Sequence, residues 1–394
     1  MSTDWINLEK TYYAQTVRRQ PIVIIRGKGS TVWDVDGKEY LDFTAGWAVC
    51  NIGHNHPTLV QAIQEQSQQL IQTSNAYYTI PQLKLAEILI ENSCLDRIFL
   101  CHSGLEANEG AIKLARRYGM TKRDGAYEII TALNSFHGRS LTTIAATGQP
   151  HYQENFKPLT SGFVHVEFND LSAIMEATND KTAAVFLEPI QGEGGVNLPS
   201  NDYLKNVQTW CRQHNLLFMV DEVQTGMGRL GSLFGYQEFD LQPDVMTLAK
   251  GLGGGVPIGA FMSTNNAMSL TYGDHGSTFG GNPLTSAAAY AVTKHIIDND
   301  LATNARTMGN YLMNLLENLK SRFNFITEIR GRGLLIAIEF DEDLSARVLE
   351  KTNEAGILLN AVKPNALRLM PALNITTEEI TQGVERIEKA LTQL

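Results

Sequence analysis

The hydrophobic positions between about residues 55 and 290 form short continuous runs, separated by stretches with helical spacing. Runs that are apolar at every position are typical of strands covered on both faces. Their alternation with helices predicts an α/β fold with a mostly parallel central sheet and helices on both of its faces. The predicted strands are residues 98–100, 128–131, 184–187, 216–220, 244–246 and 258–261.

The two ends of the chain have a different pattern. Residues 22–47 alternate apolar runs with glycine turns, which predicts a small antiparallel meander. After about residue 290, a long helical stretch (291–322), a strand (334–340) and a closing helix from about Thr376 predict a smaller α+β domain. We therefore predict an N-terminal segment, 1–54, that contributes to the small domain, a large α/β domain, 55–290, and a C-terminal small domain, 291–394.

Length and charge exclude several classes of protein. The 394 residues are enough for about two domains of roughly 150 residues each. With 32 basic and 42 acidic residues, the formal net charge of −10 argues against nucleic acid or an anionic membrane as the main partner. No segment approaches the ~18 to 20 apolar residues of a membrane span, and the first residues show no basic region followed by an apolar one. We therefore expect a cytoplasmic protein.

The cysteines indicate neither a metal site nor disulfides. They form no CxxC pair and no metal-ligand spacing, so we expect no metal and a reducing compartment. The four are Cys50, Cys94, Cys101 and Cys211.

Chemically useful residues follow the predicted strands, where an open α/β sheet binds its ligands. Ser103 and Glu106 have the spacing of a capping box, whose helix N-terminus either binds phosphate or merely begins a helix. Asp221 follows an apolar strand and is a partner for a protonated ring nitrogen, a metal ligand or a helix cap. Lys250, in TLAKGLGGGVPIGA, is a solvated turn cation or a nucleophile toward an aldehyde.

A phosphate-binding helix end, a strand-end aspartate and a strand-end lysine are together the three fixtures that pyridoxal 5'-phosphate (PLP) needs. At this point the sequence resembles a known family. The chain is similar to the class III, fold-type I PLP aminotransferases, most of all to the N-acetylornithine aminotransferases of arginine biosynthesis, over nearly its whole length. The motifs that carry the resemblance are Ser103-Gly104-x-Glu106-Ala107-Asn108-Glu109, Phe136-His137-Gly138-Arg139, Glu188-Pro189-Ile190-Gln191-Gly192-Glu193-Gly194-Gly195, Asp221-Glu222-Val223-Gln224-Thr225-Gly226, Ala249-Lys250 and Ser277-Thr278-Phe279-Gly280-Gly281-Asn282-Pro283.

The resemblance implies a cofactor site in the large domain of a homodimer. Lys250 would be the covalent anchor of PLP and its general acid/base, and Asp221 would hold the pyridine nitrogen protonated. The implied cofactor contacts are backbone amides of Ser103, Gly104 and Leu105 to the phosphate, Phe136 and Val223 to the two ring faces, Gln224 to the phenolic oxygen, and Thr278 to the phosphate from the other subunit.

The resemblance also implies the substrate contacts. Arg139 and Arg368 would receive substrate carboxylates, with Ser277 as a further substrate contact. Glu193 would pair with Arg368 while an ω-amine is bound and release it for 2-oxoglutarate or glutamate. His137, although it lies inside a motif, receives no role.

The implied reaction transfers the terminal amine of N²-acetylornithine to 2-oxoglutarate, giving N-acetylglutamate 5-semialdehyde and glutamate. Ornithine, succinyl-ornithine, 4-aminobutyrate or a carrier-bound lysine precursor are alternative donors. The chain departs from its relatives at Val17, where they often carry an aromatic residue that helps define the distal end of the substrate. Two alternative functions belong to other classes of protein: a glutamate-1-semialdehyde aminomutase, and a non-catalytic relative that only binds a phosphate compound.

Overall fold

The computed structural model describes residues 2–394, which form three sheets with helices packed around them. The strands are β1 (Ile24–Lys28), β2 (Thr31–Asp34), β3 (Glu39–Asp42), β4 (Arg97–Cys101), β5 (Glu128–Ala132), β6 (Phe163–Val166), β7 (Thr182–Leu187), β8 (Leu217–Asp221), β9 (Val245–Leu248), β10 (Gly259–Ser263), β11 (Ile326–Arg332), β12 (Leu335–Phe340), β13 (Ile357–Leu358), β14 (Asn360–Lys363) and β15 (Ala366–Leu369). The α-helices are α1 (Ser2–Tyr12), α2 (Ala45–Ala48), α3 (Pro57–Ser67), α4 (Ile80–Glu91), α5 (Gly104–Lys122), α6 (Leu141–Ala146), α7 (Pro150–Gln153), α8 (Leu171–Ala177), α9 (Tyr203–Gln213), α10 (Pro283–Asp298), α11 (Leu301–Lys320), α12 (Ser345–Glu354) and α13 (Thr377–Leu391).

The central sheet has seven strands in the order β4-β10-β9-β8-β7-β5-β6. Strands β5 to β9 pair in parallel, and β10 runs antiparallel to both of its neighbours, β4 and β9. Every residue of β7, β8 and β9 is buried, which explains why their sequences are continuous apolar runs and do not alternate. The predicted fold class is confirmed.

Successive residues of the central strands enter two separate cores, one on each face of the sheet. Phe186 of β7 packs in the core that contains Ala111 of α5. The next residue, Leu187, packs in the core that contains Val207 of α9 and Val292 of α10. A shift of one residue in strand pairing would exchange these faces, so the two-sided burial fixes the register.

Two four-stranded sheets lie outside the central one. The predicted meander is present as β1-β2-β3, and β13 from the C-terminal part of the chain adds to it in parallel with β3. The other sheet is antiparallel, in the order β11-β12-β15-β14. Segments far apart in sequence therefore share a sheet, while the domain boundaries near residues 54 and 290 stay a prediction.

The predicted helix over residues 291–322 is in fact two helices. α10 begins earlier, at Pro283, and α11 follows after Asn299 and Asp300. Asp300 has a left-handed φ of 47°, and the Asn299 side chain donates to the carbonyl of His295 at 3.0 Å. Asparagine and aspartate tolerate left-handed backbone and end helices through such local bonds, so the polar sequence Asp298-Asn299-Asp300 was a break signal that helical periodicity hid.

The strand ends bring the candidate residues together. β4, β5, β7, β8 and β9 end at the same edge of the central sheet, and the residues that follow each of them line a single cavity. Within residues 2–394, none of the helices combines the length and apolar character that a membrane crossing requires.

Candidate active site

A cavity of about 530 Å³ lies at the carboxyl ends of the central strands. Most of the residues predicted from sequence line it, although they come from segments more than 140 positions apart. Among the residues that the structure describes, the predicted Arg368, Ser277 and Thr278 are not part of this wall. The predicted residues in the wall are Ser103, Gly104, Leu105, Phe136, Arg139, Glu193, Asp221, Val223, Gln224 and Lys250.

Lys250 follows β9 after one intervening residue and begins a short 3-10 helix, Lys250–Leu252. Its φ is 41°, a left-handed conformation that is uncommon for a residue with a side chain and is concentrated at functional sites. Burial lowers the pKa of its ammonium group, and the nearby Glu193 carboxylate opposes that effect. A lowered pKa favours the neutral amine, the form that attacks an aldehyde. Lys250 is therefore not a solvated turn cation.

Asp221 is the last residue of β8, and its side chain is held from both sides. Its Oδ2 accepts a hydrogen bond from Asn108 Nδ2 at 2.8 Å and lies 2.8 Å from His137 Nδ1. Its Oδ1 accepts from the backbone N–H of Val223 at 3.0 Å. These contacts fix the orientation of the carboxylate at the cavity wall, as a charge partner requires. Within residues 2–394 no group of three or more His, Cys, Asp or Glu side chains could hold a metal ion.

His137 and Asn108 are two residues of this network that sequence reasoning missed. His137 stacks on Phe186 of β7, with ring centroids 4.4 Å apart and an interplanar angle of 18°. Asn108 Nδ2 also donates to the backbone carbonyl of His137 at 2.7 Å. The side chains of Asn108, His137 and Asp221 therefore hold one another in position. Both residues lie inside the quoted motifs, but only their position in space shows that they contact Asp221.

The N-terminus of α5 forms a cradle at one end of the cavity. Ser103 caps it, because its Oγ accepts from the backbone N–H of Glu106 at 3.3 Å. The reciprocal half of the predicted capping box differs: the Glu106 carboxylate accepts from the backbone N–H of His102 at 2.8 Å instead of from the backbone N–H of Ser103. In the described part of the chain, the N–H groups of Gly104 and Leu105 donate to no protein acceptor. Two free donors at the positive end of a 19-residue helix suit a phosphate group.

The side walls of the cavity are apolar and closely fitted. Phe136 and Val223 line it, and Val223 lies against the backbone of Gly104. A Cβ on Gly104 would lie 2.7 and 2.8 Å from the two methyl carbons of Val223, so only glycine fits there. Likewise, a Cβ on Gly192 would lie 2.0 Å from Oε1 of Gln224. The close contacts therefore fix the width of the cavity between the side chains of Phe136 and Val223.

Arg368 lies behind the cavity wall and is fully buried, which excludes a surface salt bridge. Its Nη2 is 2.8 Å from Glu193 Oε1 and donates to Asn360 Oδ1 at 2.7 Å, and its Nη1 donates to Gln224 Oε1 at 2.9 Å. Gln224 Nε2 in turn donates to Glu193 Oε1 at 3.1 Å. Burial raises and Arg368 lowers the pKa of the Glu193 carboxyl, with a net lowering. Glu193 is therefore negatively charged and compensates the positive charge of Arg368.

Arg139 has a different environment from Arg368. It is exposed at the mouth of the cavity and forms no ion pair with any carboxylate of residues 2–394. Its guanidinium lies over the ring of Tyr152 at 4.7 Å and near that of Phe136 at 5.8 Å. Arg139 is thus a cation oriented by aromatic rings and available to an incoming carboxylate.

Ser277 and Thr278 lie on a loop at the surface and are not part of the wall of this cavity. Phe279 of the same loop lies edge-on to the wall residue His102, with ring centroids 6.1 Å apart. The carbonyls of Ser277 and Thr278 accept hydrogen bonds from Asn75 at 2.8 Å and from Gln72 at 2.5 Å. The single chain therefore does not bring them to the other predicted residues. Val17, likewise, lies in an exposed groove formed with α1.

Glu188, which immediately follows β7, is a wall residue to which the sequence assigned no role. Its carboxylate accepts hydrogen bonds from the backbone N–H groups of Phe136 and Gly192, both at 3.1 Å. Burial first, and the neighbouring Asp221 second, raise the pKa of Glu188 from 4.5 to about 8. Glu188 joins the two loops that carry Phe136 and Glu193.

Comparisons with known proteins agree over nearly the entire chain. A family model described as aminotransferase class-III matches residues 12–391. Acetylornithine aminotransferase from Methanocaldococcus jannaschii is 49% identical and covers 99% of this chain and 98% of its own length. Among solved structures, ornithine aminotransferase from Toxoplasma gondii, with PLP partially occupying its active site, gives a TM-score of 0.96 at 36% identity, covering 100% of this chain and 95% of that one. N-acetylornithine aminotransferase from Stenotrophomonas maltophilia gives a TM-score of 0.85 at 37% identity, covering 98% of each chain.

Proposed function

We propose that this chain, which belongs to the class III aminotransferase family and is an aminotransferase, acts on N²-acetylornithine. In this proposal it transfers the terminal amino group of that donor to 2-oxoglutarate. The products are N-acetylglutamate 5-semialdehyde and glutamate, as in arginine biosynthesis. The observation that carries the proposal is the buried Glu193–Arg368 ion pair, at 2.8 Å, behind the cavity that contains Lys250. Relatives named acetylornithine aminotransferases support this choice of amine donor.

The cofactor in this proposal is PLP, and the cavity fits its polar groups. The free N–H groups of Gly104 and Leu105 would hold the phosphate, and the fixed carboxylate of Asp221 would pair with the ring nitrogen. Phe136 and Val223 would contact the ring, and the amine of Lys250 would bind the aldehyde. PLP, when bound, supplies an aldehyde that takes up amines and a ring that withdraws electrons from the carbon losing a proton.

The proton transfers fall to Lys250. Its lowered pKa allows Nζ to exist as a neutral amine that accepts a proton and, once protonated, returns it. Asp221 keeps a fixed orientation, because its oxygens face Asn108, His137 and the N–H of Val223. Lys250 therefore moves the proton while the Asp221 side chain stays in place.

The two arginines account for the exchange of substrates. Arg139, without a carboxylate partner, receives the one free carboxylate of the donor and one of the two carboxylates of the acceptor. Arg368 is covered by Glu193 while the donor is bound, because the carbon that carries the terminal amine of the donor has no carboxylate. A dicarboxylate acceptor then reaches Arg368 when Glu193 moves aside, so one pocket accommodates both substrates.

We further propose a homodimer in which Ser277 and Thr278 complete the partner's site, Thr278 at the phosphate and Ser277 near the substrate. Their loop is at the surface, and neither residue lines the cavity of its own chain. Neighbouring large apolar side chains, including Phe279, Tyr77 and Tyr78, are also exposed. Association of two chains would bury such side chains.

The amine donor is tested by single-turnover conversion of the PLP form to the pyridoxamine form, followed by absorbance. N²-acetylornithine, ornithine, succinyl-ornithine and 4-aminobutyrate are compared at equal concentrations. We expect the fastest conversion with N²-acetylornithine. A higher rate with ornithine or 4-aminobutyrate would show that the named donor is wrong while leaving the enzyme an aminotransferase.

The aminomutase alternative is tested separately with glutamate-1-semialdehyde alone. We expect no isomerisation without added 2-oxoglutarate, because Arg139, Arg368 and Glu193 together suit exchange with a dicarboxylate. Isomerisation of that compound by the enzyme alone would contradict the proposed transamination.

A further inference from the structure

Arg368 is bound by one carboxylate and two neutral side-chain carbonyls, and these partners are not equivalent. Among residues 2–394, Glu193 supplies the only carboxylate that pairs with Arg368, at 2.8 Å. Gln224 Oε1 and Asn360 Oδ1 accept from the two terminal nitrogens at 2.9 and 2.7 Å. The neutral acceptors orient the guanidinium without cancelling its charge.

Asn360 is fixed by the backbone, whereas Glu193 is not. Asn360 and Arg368 are directly paired residues of the antiparallel strands β14 and β15, so their side chains project from the same face of the sheet. Glu193 lies in the turn after β7, and 28% of its side chain is exposed to the cavity. When Glu193 leaves, Asn360 therefore stays against Arg368.

We propose that Asn360 is a positioning residue that preserves the positive charge of Arg368 for the second substrate. The inference rests on the proposed exchange between a donor with one free carboxylate and a dicarboxylate acceptor. With Glu193 in place the pair is neutral, and with Glu193 displaced the arginine keeps one positive charge for the incoming carboxylate. A carboxylate at position 360 would stay beside Arg368, because the pairing of β14 with β15 fixes residues 360 and 368 opposite each other, and it would neutralise Arg368 in both half-reactions.

The test is Asn360→Asp, with the two half-reactions measured separately in single turnover. The donor is mixed with the PLP form of the enzyme, and 2-oxoglutarate is mixed with the pyridoxamine form. We expect kcat/KM for 2-oxoglutarate to fall at least about tenfold, because two carboxylates would then compete for one buried guanidinium. The donor half-reaction should stay within about twofold of wild type, since the donor is bound while Arg368 is neutralised. The matched control is Asn314→Asp, which adds the same charge on the exposed side of α11 and should change neither half-reaction.

A rescue experiment separates positioning from a purely structural effect. Glu193→Gln removes the mobile carboxylate and should slow the donor half-reaction, because Arg368 is then an uncompensated cation. Adding Asn360→Asp to Glu193→Gln should restore the donor half-reaction and leave the 2-oxoglutarate half-reaction slow. Restoration would not occur if Asn360→Asp merely disturbed the hairpin of β14 and β15.

The outcomes distinguish this inference from the proposed function. If wild type converts both substrates and Asn360→Asp slows both half-reactions equally, or slows neither, the role of Asn360 is overturned and the function stands. If the pyridoxamine form of wild type does not react with 2-oxoglutarate, the proposed acceptor and the role of Asn360 are both overturned.

Discussion

The Glu188 carboxyl group lies close to the Asp221 carboxylate, and its pKa depends on that neighbour. Asp221 accepts from Asn108 and the backbone of Val223, with His137 at 2.8 Å. Glu188 accepts from two backbone N–H groups, but burial and the charge of Asp221 raise its pKa to about 8. Two carboxylates at one cavity avoid being charged together, so the less well solvated one keeps its proton to higher pH.

The raised pKa of Glu188 makes the stability of the cofactor-free protein depend on pH. Between pH 4.5 and about 8 the unfolded chain has lost the Glu188 proton while the folded chain retains it. Folding is therefore favoured by this group at low pH, and that contribution is lost as pH rises through 8. Glu188→Gln has no proton to lose. From pH 5 to pH 9 its Tm should fall less than that of wild type, by at least about 2 °C.

The control for this experiment is Glu342→Gln, an exposed glutamate in a loop far from the cavity. Its Tm should follow the wild-type pH dependence. Glu222, whose pKa burial also raises to about 8, is present in every variant and cancels from the comparison. Parallel curves for wild type and Glu188→Gln would show that Glu188 is already ionised at low pH.

At the scale of elements, the N-terminus of α5 depends on the fit of Gly104 against Val223. An alanine at position 104 would place Cβ within 2.8 Å of the valine methyl carbons, so Val223 or the helix must shift. We expect Gly104→Ala to weaken PLP binding by at least about tenfold, because both the phosphate donors and the ring wall move. The measurement is a titration of the cofactor-free protein, followed by absorbance.

The matched control for Gly104→Ala is a double-mutant cycle with Val223→Ala. Removing the two methyl groups makes room for the new Cβ, so the double variant should bind PLP about as well as Val223→Ala alone. Additive losses would show that the effect of Gly104→Ala arises elsewhere than in the contact with Val223.

The sequence predicted elements well where their pattern reflected burial. Apolar runs located β5, β7, β8 and β9, and the residues after them located most of the cavity wall. The parallel edge strand β6 was missed, because three of its four residues are only half-buried and form no fully apolar run. The pattern did not separate α10 from α11, because a two-residue break at Asn299 and Asp300 leaves both helices amphipathic. The hydrophobic pattern also gave no indication that β10 is antiparallel, since a fully buried strand has the same continuous apolar run whether it is parallel or antiparallel to its neighbours.

At the scale of the molecule, Arg229 joins segments that are distant in sequence. It is fully buried and donates to the carbonyls of Leu334 and Pro371 at 3.0 and 2.6 Å and to Asn51 Oδ1 at 2.6 Å. Burial lowers its pKa to about 9. Within residues 2–394, this buried arginine is held by neutral oxygens, and such contacts leave no charge-pairing pattern in the sequence. The link that Arg229 makes to Asn51, Leu334 and Pro371 could therefore be found only in the structure.

The proposed dimer predicts that two defective chains restore each other. Lys250→Ala removes the amine of a chain's own site, and Thr278→Asp places a carboxylate against the phosphate of the partner's site. In a mixed dimer, the chain with intact Lys250 receives intact Thr278 from the Lys250→Ala chain, so one site is complete. Co-expression of the two differently tagged chains should therefore give about a quarter of wild-type activity, because half of the dimers are mixed and each has one complete site. If Thr278 served its own chain, both sites of the mixed dimer would be defective, and activity no higher than that of the separately expressed variants would contradict the shared site.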